Sequence, residues 1–330
     1  MKKFRIAIVG CGAICGNHIK SILSSEHTLC AICDILPEQT ARVKEKYELG
    51  DIPEYRDYIE MLEREKPDSV HICTPHYLHA EMICEALARD INVLCEKPLF
   101  INLEQMEKIR KAKEKTSAYL GVCHQNRYEE NMLKLRELLK DGFLGGGGFV
   151  LWKRDAAYYN SAEWRGTWDK EGGGVMINQA LHTLDILQWV CGMPKYVTAH
   201  TFCDSLKGVI EVEDTAIARF ELEDGRAMTF FATNGGGCDL KPRLEFKLTS
   251  GQTVTATNKL LTVDSQILMG KEQENCVGKD VWGTGHGKLI NDFYSAISEG
   301  RRFELDFEEG SKVVRLILAM YRSNGERIEI

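Results

Sequence analysis

The feature that most limits the fold of this chain is an alternation that runs through residues 4–122. Short apolar runs alternate there with amphipathic stretches whose apolar residues recur with the period of a helix. Such alternation is typical of a parallel sheet covered on both faces by helices. The predicted strands are FRIAIV, TLCAIC, SVHIC, NVLC and AYLGVC, and the predicted helices span 37–47, 57–65, 77–89 and 102–115.

The pattern changes after a further predicted helix at 129–140, and strand patterns then dominate. Their short connections, such as EDGR and TSGQ, predict a largely antiparallel sheet. GFLGGGGFV is predicted to bend the chain, and the glycine runs 145–148 and 235–237 are read as turns. The expected strands are FVLWKRD, YVTAHTFC, TAIARFEL, RAMTFFAT, RLEFKLTS and TVTATN, and helices are expected at 174–190, 286–298 and 308–322.

Charge and cysteine usage exclude several classes of protein. A net charge of −7 offers no positive excess for nucleic acid or an anionic membrane. The apolar run Ile6 to Val9 is too short for a secretory signal, and no later run is long enough to span a bilayer. Cys30 and Cys33 form a C-x-x-C within a predicted strand, where positions three apart point to opposite faces. We expect buried free thiols in a cytoplasmic protein, and no disulfide or zinc site.

A glycine motif follows the first predicted strand, in RIAIVGCGAICGNHI. Gly10 permits a tight turn, and Gly12 lets the backbone approach a pyrophosphate at the helix N-terminus. The motif departs from G-x-G-x-x-G because Cys15 occupies the third position and Gly16 follows one step later. Asp34 ends the second strand at the spacing of a carboxylate that binds the adenosine ribose hydroxyls, although it also suits a helix cap. Together these residues predict dinucleotide binding.

Two more motifs end later strands at the carboxyl edge of the sheet, where open parallel sheets bind ligands. In TPHYLHAE, Thr74 and Pro75 are followed by His76 and His79, each of which could instead be a cap or a solvated surface histidine. In CEKPLF, a lysine stands between a glutamate and a proline. Surface lysines need no such placement, so we interpret Lys97 as pointing its ammonium into the cofactor crevice.

A polar stripe in the second half is predicted to supply the other side of the site. Asn178, His182 and Asp185 are spaced i, i+4 and i+7, which places them on one stripe of the predicted helix 174–190. Three glycines at 172–174 allow close approach. The alternative is a core histidine with satisfied hydrogen bonds. No pair of carboxylates, Ser-His-Asp order or metal-ligand cluster competes with this stripe, and no metal is expected.

With these motifs in place, the chain resembles the glucose–fructose oxidoreductase / inositol dehydrogenase / rhizopine-catabolism (Gfo/Idh/MocA) family of NAD(P)-dependent oxidoreductases. The motifs that carry the resemblance are GCGAICGNH, CD at 33–34, TPHYLHAE, EKPL at 96–99, NRY at 126–128, GGGVMINQALHTLD and GHGKLINDFYSAI. The resemblance implies a Rossmann dinucleotide-binding domain at 1–123. It also implies an α+β domain for substrate binding and oligomerisation at 124–330, with its last helices packing back toward the first.

The resemblance also implies roles for individual residues. Lys97 is expected beside the nicotinamide and the substrate, and His182 is expected to exchange a proton with the substrate hydroxyl. Many relatives have aspartate where this chain has Asn178, and an amide can orient a hydroxyl but cannot act as a base. Substrate binding is expected from Asn178, Asp185, Arg127, Trp164 and Arg165. Cofactor contacts are expected from Gly10, Gly12, Ala13, Ile14, Asp34, Thr74, Pro75, His76, His79, Glu96 and Lys97.

The cofactor is expected to be NAD rather than NADP. Asp34 repels a 2′-phosphate, and the ILPEQ that follows it contains no arginine or lysine. The nearest cation is Arg42, a helix turn or more away. The small-molecule partner is expected to be a sugar or polyol.

The leading functional hypothesis is hydride transfer between the nicotinamide and a secondary hydroxyl or ketone of a sugar, a sugar derivative or a cyclitol. The alternative is a redox-neutral lyase or glycoside-cleaving enzyme with tightly held NAD. A nucleotide-sensing or scaffold protein is a third possibility, against which the presence of Lys97 and His182 argues. We expect a homodimer or homotetramer built on the outer face of the second sheet, because RAMTFFAT is apolar on both alternations.

Overall fold

The computed structural model describes residues 2–271 and 285–330, which fall into two compact units. The first unit consists of Met1–Cys123 and His286–Ser311. The second consists of His124–Gly285 and Lys312–Ile330. Part of the late sequence therefore belongs to the first unit, and neither unit is one continuous stretch of chain.

The first unit contains a parallel sheet with the order β3-β2-β1-β4-β5-β6. The order reverses between β1 and β4, so the strand ends on either side of this switch point border the crevice where such sheets bind ligands. The predicted parallel sheet is confirmed. Its strands are β1 (Arg5–Val9), β2 (Thr28–Cys33), β3 (Glu54–Tyr55), β4 (Ser69–Ile72), β5 (Asn92–Cys95) and β6 (Leu120–Val122).

Helices connect these strands, and local signals explain where several of them begin. Pro37 occupies the first turn of α2, where its missing N–H costs no hydrogen bond. Asp57 caps α3 by accepting from Glu60 N at 2.7 Å, and Asn102 caps α5 in the same way. The helices are α1 (Cys15–Leu23), α2 (Pro37–Lys46), α3 (Tyr58–Glu65), α4 (His76–Leu87) and α5 (Leu103–Lys113).

The second unit contains a large sheet with the order β14-β13-β12-β11-β7-β10-β9-β8-β15. Its strand pairs are antiparallel except for β7 with β10. The predicted, mostly antiparallel sheet is confirmed. Its strands are β7 (Phe143–Leu151), β8 (Tyr196–Phe202), β9 (Thr215–Glu221), β10 (Ala227–Thr233), β11 (Arg243–Leu248), β12 (Thr253–Thr257), β13 (Leu260–Val263), β14 (Gln266–Gly270) and β15 (Ile328–Glu329).

The glycine run 145–148 is a strand segment, so its prediction as a turn is wrong. These residues lie in β7, between β10 and β11. A Cβ added at Gly146 would lie 2.3 Å from the Phe246 ring, and one at Gly147 would lie 2.3 Å from the Thr229 carbonyl oxygen. Close neighbours on both sides, rather than a bend, explain the glycines. The run 235–237 lies outside the helices and strands, in line with its prediction as a turn.

The helices of the second unit include one that starts later than predicted. The segment 174–180 forms turns, in which Ala180 N donates to Val175 O at 2.8 Å. The carboxylate of Glu213 binds the N–H groups of Gly174 and Met176 in this segment. Asn178 therefore does not share a helix with His182 and Asp185, and that prediction is wrong. The helices are α6 (Glu130–Leu139), α7 (Ala156–Tyr159) and α8 (Leu181–Cys191).

The chain closes with α9 (Gly285–Glu299) and α10 (Phe307–Ser323), near the bounds expected from the sequence. In the first unit, Tyr294 of α9 is fully buried against Phe4, with ring centroids 5.0 Å apart. Over the described residues, we find no helix whose length and apolar character would let it cross a membrane.

The cysteines of the described residues are free thiols, as predicted. Most of them are buried, and Cys238 is exposed. Burial raises the pKa of Cys30 to about 11 and that of Cys33 to about 12, so both stay protonated at neutral pH. Cys276 lies outside the described residues.

Candidate active site

The turn after β1 can be made only with glycine at position 10. Gly10 has a φ of +88°, and an added Cβ would lie 2.6 Å from the carbonyl carbon and oxygen of Cys73. Its N–H donates to Cys33 O at 2.8 Å, which ties the turn to the end of β2. Gly12 is exposed, and the space around its Cβ position is open. A ligand can therefore approach the backbone at Gly12.

The start of α1 is a ready anion site. Its N-cap, Ile14, makes no side-chain capping hydrogen bond, so side chains leave the first N–H groups of the helix uncapped. Close packing comes from Gly16, where an added Cβ would lie 2.2 Å from the Tyr47 hydroxyl. Cys15 is buried and its thiol donates to Gly12 O at 3.0 Å. The glycine one step late in the motif thus leaves room for the Tyr47 side chain, which follows α2.

Asp34 is held at the end of β2 by two backbone groups. Its Oδ2 accepts from Cys11 N at 2.8 Å and its Oδ1 accepts from Leu36 N at 2.9 Å. Each carboxylate oxygen has a second lone pair, which suits a ribose hydroxyl donor. The Arg42 guanidinium donates to Cys11 O at 2.8 Å. This cation therefore reaches the glycine turn, closer than its position in the sequence suggests.

These features fit a dinucleotide. The open backbone at Gly12 and the uncapped start of α1 suit a pyrophosphate, and the fixed Asp34 carboxylate suits a ribose. Ala13 is exposed and Ile14 half-buried beside them.

The strand end after β4 is joined to the E-K-P turn by a buried histidine. His79 Nδ1 lies 2.6 Å from Pro98 O, and its Nε2 lies 2.8 Å from Thr74 O. Burial lowers the pKa of His79, while its bonds to these carbonyls oppose that shift. Both ring nitrogens contact backbone carbonyl oxygens of the protein. We therefore revise His79 from a cofactor contact to a residue that links the two strand ends. Thr74 and Pro75 are half-buried and His76 is buried.

The E-K-P turn after β5 contains a buried carboxylate that binds two histidines. Glu96 Oε1 lies 2.9 Å from His18 Nε2 and 3.2 Å from His286 Nε2. Its Oε2 accepts from Lys97 N at 3.3 Å. Burial alone would raise the pKa of Glu96, but the hydrogen bonds from the two histidines outweigh it and hold the pKa well below its usual range. Glu96 is therefore an anion at neutral pH. Lys97 is half-buried.

In the second unit, His182 lies in the first turn of α8 and is half-buried. Its Nε2 is 3.4 Å from Gln125 Nε2, and its ring is edge-on to that of His124, with centroids 6.4 Å apart. These neighbours fix the orientation of the imidazole. Gln125 and His124 come from the short turn that follows β6 in the sequence.

Asp185 and Arg127 bind each other. Arg127 Nε donates to Asp185 Oδ2 at 2.8 Å, and Nη2 donates to Oδ1 at 2.6 Å. Burial alone would raise the pKa of Asp185, but Arg127 and then His124 outweigh it and hold the pKa below its usual value. A buried, bidentate pair of this kind joins α8 to the segment before α6. We therefore revise both residues from substrate contacts to supports of α8.

Asn178 belongs to a polar cluster with a second buried carboxylate. Its Nδ2 donates to Glu171 and lies 3.3 Å from the Tyr158 hydroxyl. Glu171 is fully buried and also accepts from Gly166 N. The carboxylate in this region therefore comes from position 171, and Asn178 contacts it through its amide.

Arg165 contacts the same tyrosine and also the ring of Trp164. The Arg165 guanidinium lies 4.4 Å from the Tyr158 ring centroid and 4.7 Å from that of Trp164, and it donates to the Tyr158 hydroxyl. Gln179 Nε2 also donates to this hydroxyl, at 3.0 Å. Tyr158 thus brings together Asn178 and Arg165, two residues that the sequence singled out separately.

Glu213 supports the turn that precedes α8. Its carboxylate accepts from Gly174 N at 2.9 Å, Met176 N at 3.0 Å and the Tyr321 hydroxyl at 2.9 Å. Burial raises its pKa to about 7, against the opposing effect of these donors. This carboxylate is therefore poised to titrate near neutrality.

Sequence reasoning missed several polar residues that form hydrogen-bonded clusters within each unit. The missed residues are His18, His71, His286, Tyr294, Tyr158, Glu171 and Glu213. One signal was available, since His18 falls one helical turn after Ile14 in a helix that faces the sheet. Glu171 and Glu213 lie next to glycine or apolar residues in the sequence, which is a weaker signal of burial. Sequence spacing alone does not show which acidic residues a fold will bury.

The chain matches family models in both halves. Residues 4–124 match the model described as "Oxidoreductase family, NAD-binding Rossmann fold", and residues 132–254 match the "GFO/IDH/MocA C-terminal domain".

Named relatives align with the chain at modest identity. D-glucoside 3-dehydrogenase of Escherichia coli is 26% identical, over 99% of this chain and 97% of that protein. Myo-inositol 2-dehydrogenase of Thermotoga maritima is 26% identical, over 57% of this chain and 55% of that protein. The structure of the WlbA dehydrogenase from Bordetella pertussis, in complex with NADH and UDP-GlcNAcA, superposes with a TM-score of 0.85 at 26% identity, over 100% of this chain and 99% of that one.

Proposed function

Because the chain belongs to the Gfo/Idh/MocA family of NAD-binding oxidoreductases, we propose that it transfers hydride between a nicotinamide and a secondary hydroxyl or ketone of a sugar, a sugar derivative or a cyclitol. The observation that carries this proposal is the near full-length alignment with D-glucoside 3-dehydrogenase. The names of the other relatives support it, since they include a dehydrogenase of a cyclitol and a dehydrogenase in complex with NADH and UDP-GlcNAcA.

We assign the first unit to the cofactor and the second to the substrate. In the first unit, the turn at Gly10 and Gly12 and the start of α1 would hold the pyrophosphate, and Asp34 would hold the adenosine ribose. NAD, when bound, supplies the hydride acceptor. A location in the cytoplasm is consistent with the buried free thiols, which persist there in reduced form.

His182 and Lys97 are the proposed catalytic residues. A secondary alcohol gives up hydride only as its hydroxyl proton is removed, so the reaction needs a base. His182 is suited to this role because imidazole titrates near neutrality. Lys97 supplies positive charge that stabilises the developing alkoxide. In the reverse direction, the proton returns from His182 to the carbonyl oxygen as hydride is added to the carbon.

Substrate binding is assigned to the cluster around Tyr158. Asn178, Arg165 and Trp164 offer an amide, a guanidinium and an aromatic face, the groups that bind sugar hydroxyls and the apolar faces of sugar rings. The ionised pair of Arg127 and Asp185 holds α8, and with it His182, in place.

NADH formation across a substrate panel tests the proposal. The purified protein is incubated with NAD and, separately, with cyclitols, hexoses, glucosides, uronates and sugar nucleotides, and absorbance at 340 nm is followed. We expect stoichiometric NADH with at least one class. A product that forms without net NADH, while NAD stays bound, would replace the dehydrogenase proposal with the redox-neutral lyase or glycoside-cleaving alternative.

We also propose a homodimer or homotetramer that covers the outer face of the second sheet. Strand pairing places Phe149, Phe231 and Ile217 in one row across this face. The two phenylalanine rings stack 5.3 Å apart, and Ile217 is 49% exposed. A contiguous apolar row on a sheet face is typical of a surface that another protein covers, and a second copy of the chain is the occupant we propose.

Light scattering at micromolar concentration tests the oligomer. We expect a mass of two or four chains, and a monomer from Phe231→Glu or Ile217→Glu. Leu103→Glu, at an exposed position on α5, is the matched control and should leave the mass unchanged. A monomeric mass for the unaltered protein would rule out the proposal.

A further inference from the structure

We propose that a buried chain of His18, His71 and Tyr294, together with His286, positions Lys97 by holding the Glu96 carboxylate in one place. This inference rests on the proposed role of Lys97 in hydride transfer, and it adds four positioning residues to that function.

The chain is continuous and lies wholly inside the first unit. Tyr294 Oη lies 2.8 Å from His71 Nε2, and His71 Nδ1 lies 2.9 Å from His18 Nδ1. His18 Nε2 then lies 2.9 Å from Glu96 Oε1. His18 and His71 are fully buried, and Tyr294 is 1% exposed. Side chains from β4, α1 and α9 thus converge on the residue after β5.

The carboxylate at the end of the chain fixes the direction of every hydrogen bond. An ionised carboxylate only accepts, so His18 must donate from Nε2. Burial lowers the pKa of His18 and of His71, so each ring is neutral and carries a single N–H. His18 Nδ1 must then accept from His71 Nδ1–H, and His71 Nε2 must accept from the Tyr294 hydroxyl. The chain therefore has one proton arrangement, with every donor pointing toward Glu96.

His286 holds the same carboxylate oxygen from another helix. Its Nε2 lies 3.2 Å from Glu96 Oε1, and its Nδ1 lies 3.5 Å from the Asn17 side-chain nitrogen. The Asn17 amide can only donate through that nitrogen, so His286 accepts at Nδ1 and donates from Nε2. Two imidazoles on α1 and α9 thereby fix Glu96 Oε1.

The fixed carboxylate acts on Lys97 through the backbone. With Oε1 held by two imidazoles, Oε2 accepts from Lys97 N at 3.3 Å. On the other side of the lysine, Pro98 O is bound by His79 at 2.6 Å. The backbone is therefore held at Lys97 N and, one residue later, at Pro98 O. Loss of the histidine contacts would let Glu96 turn and release the backbone that carries the lysine.

The proton arrangement can be observed directly by NMR. In ¹⁵N-histidine-labelled protein, long-range ¹H–¹⁵N correlation spectra at pH 7 should show His18 as the Nε2–H tautomer and His71 as the Nδ1–H tautomer. Assignment comes from loss of each signal in His18→Gln and His71→Gln. Protonated rings, or the opposite tautomers, would overturn the chain as described. This measurement needs no substrate, so it stands or fails independently of the proposed function.

Kinetics with a substrate that yields NADH test the positioning role. His18→Leu should lower kcat by roughly 10-fold or more, because small displacements of a reacting group are costly, while the Kd for NAD and the KM change little. His18→Gln should recover most of that loss, since its amide can donate to Glu96 and accept from His71. Tyr294→Phe should change kcat by only about 3-fold, but the His71 tautomer should become mixed.

His27→Gln is the matched control. His27 contacts the Tyr294 ring at 4.5 Å and forms no part of the hydrogen-bonded chain, so kcat and the tautomers should be unchanged. Equal kcat for the wild type and His18→Leu, with both folded by circular dichroism, would overturn the positioning role. So would stoichiometric zinc that survives dialysis and is lost in His18→Leu, because His18, Glu96 and His286 would then be metal ligands.

Discussion

Each unit buries a carboxylate next to a proposed catalytic element, and the two behave in opposite ways. Glu96, in the first unit, precedes Lys97, and its pKa is held well below the usual range. Glu213, in the second unit, supports the turn before the helix of His182, and its pKa is raised to about 7. Both side chains are almost fully buried and both accept several hydrogen bonds.

The partners explain the difference. Glu96 Oε1 is bound by two imidazole N–H groups, and hydrogen bonds to an ionised carboxylate are strong. Glu213 is bound by two backbone N–H groups and a tyrosine hydroxyl, which carry no net charge. Burial raises the pKa of both carboxyls, and only the imidazoles outweigh it. The lesson is that the number of hydrogen bonds does not set the ionisation of a buried acid; the kind of donor does.

The largest effect is expected from removing the catalytic group beside either carboxylate. Lys97→Ala and His182→Ala should each lower kcat by roughly 10²-fold or more, the scale of lost acid–base or electrostatic catalysis. Both variants should bind NAD as the wild type does, because neither side chain holds the pyrophosphate. Steady-state kinetics and NAD titration measure this.

Lys108→Ala is the control for the lysine variant, because Lys108 is an exposed residue on α5 that pairs with Glu104. It should leave kcat unchanged. Near-normal kcat in Lys97→Ala would end the catalytic interpretation of the E-K-P turn.

The second prediction concerns the pH dependence of stability through Glu213. Its folded pKa of about 7 lies above the value of about 4.5 expected when unfolded, so the native state holds the proton more tightly. This contribution to stability is complete below pH 4.5 and is lost as the pH rises to 7. The loss amounts to about 3 kcal/mol.

Urea unfolding of the wild type and Glu213→Gln at pH 5 and pH 8 measures that contribution. The difference between the two proteins should shift in favour of the variant at pH 8, because glutamine keeps the shape without the charge. A difference that is the same at both pH values would mean that Glu213 does not titrate in this range, and the contrast with Glu96 would disappear.

The third prediction concerns the cofactor and the carboxylate of Asp34. Backbone N–H groups hold this carboxylate, whereas histidines hold that of Glu96. Asp34→Ala should weaken NAD binding and raise the relative efficiency with NADP by roughly 10-fold, because the repulsion of a 2′-phosphate is removed. Arg42 reaches the same turn and can then pair with that phosphate.

The double variant Asp34→Ala/Arg42→Ala should lose most of the gain with NADP. If kcat/KM with NADP in the wild type already equals that with NAD, the role given to Asp34 in cofactor choice is wrong.

The smallest effect is expected at Asn178. Asn178→Ala should raise KM several-fold and leave kcat within about 3-fold, because an amide binds a hydroxyl but does not ionise. Asn178→Asp should be worse than alanine, since it places a second carboxylate beside the buried Glu171.

Glu171→Gln in the Asn178→Asp background should restore part of the loss, because it leaves a single charge in the cluster. A larger loss in kcat than in KM for Asn178→Ala would show that this position takes part in the chemical step.

The sequence by itself determined the parallel sheet of the first unit, the mostly antiparallel sheet of the second and the motif positions at Gly10, Asp34 and Lys97. Strand and helix periodicities and turn residues act over a few neighbours, so they can be read along the chain. The sequence predicted the glycine run 145–148 wrongly, because its cause lies in backbone and side-chain atoms of β10 and β11 that are distant in sequence.

Only the tertiary structure decided how the polar residues are paired. His18, Glu96 and His286 are far apart in the sequence, and their contacts exist only once α1, the end of β5 and α9 have packed together. The same holds for Glu213, which binds Gly174 and Met176 in the turns at 174–180, where the sequence predicted a helix. The free energy of a buried charge depends on which donors surround it, and local sequence does not contain that information.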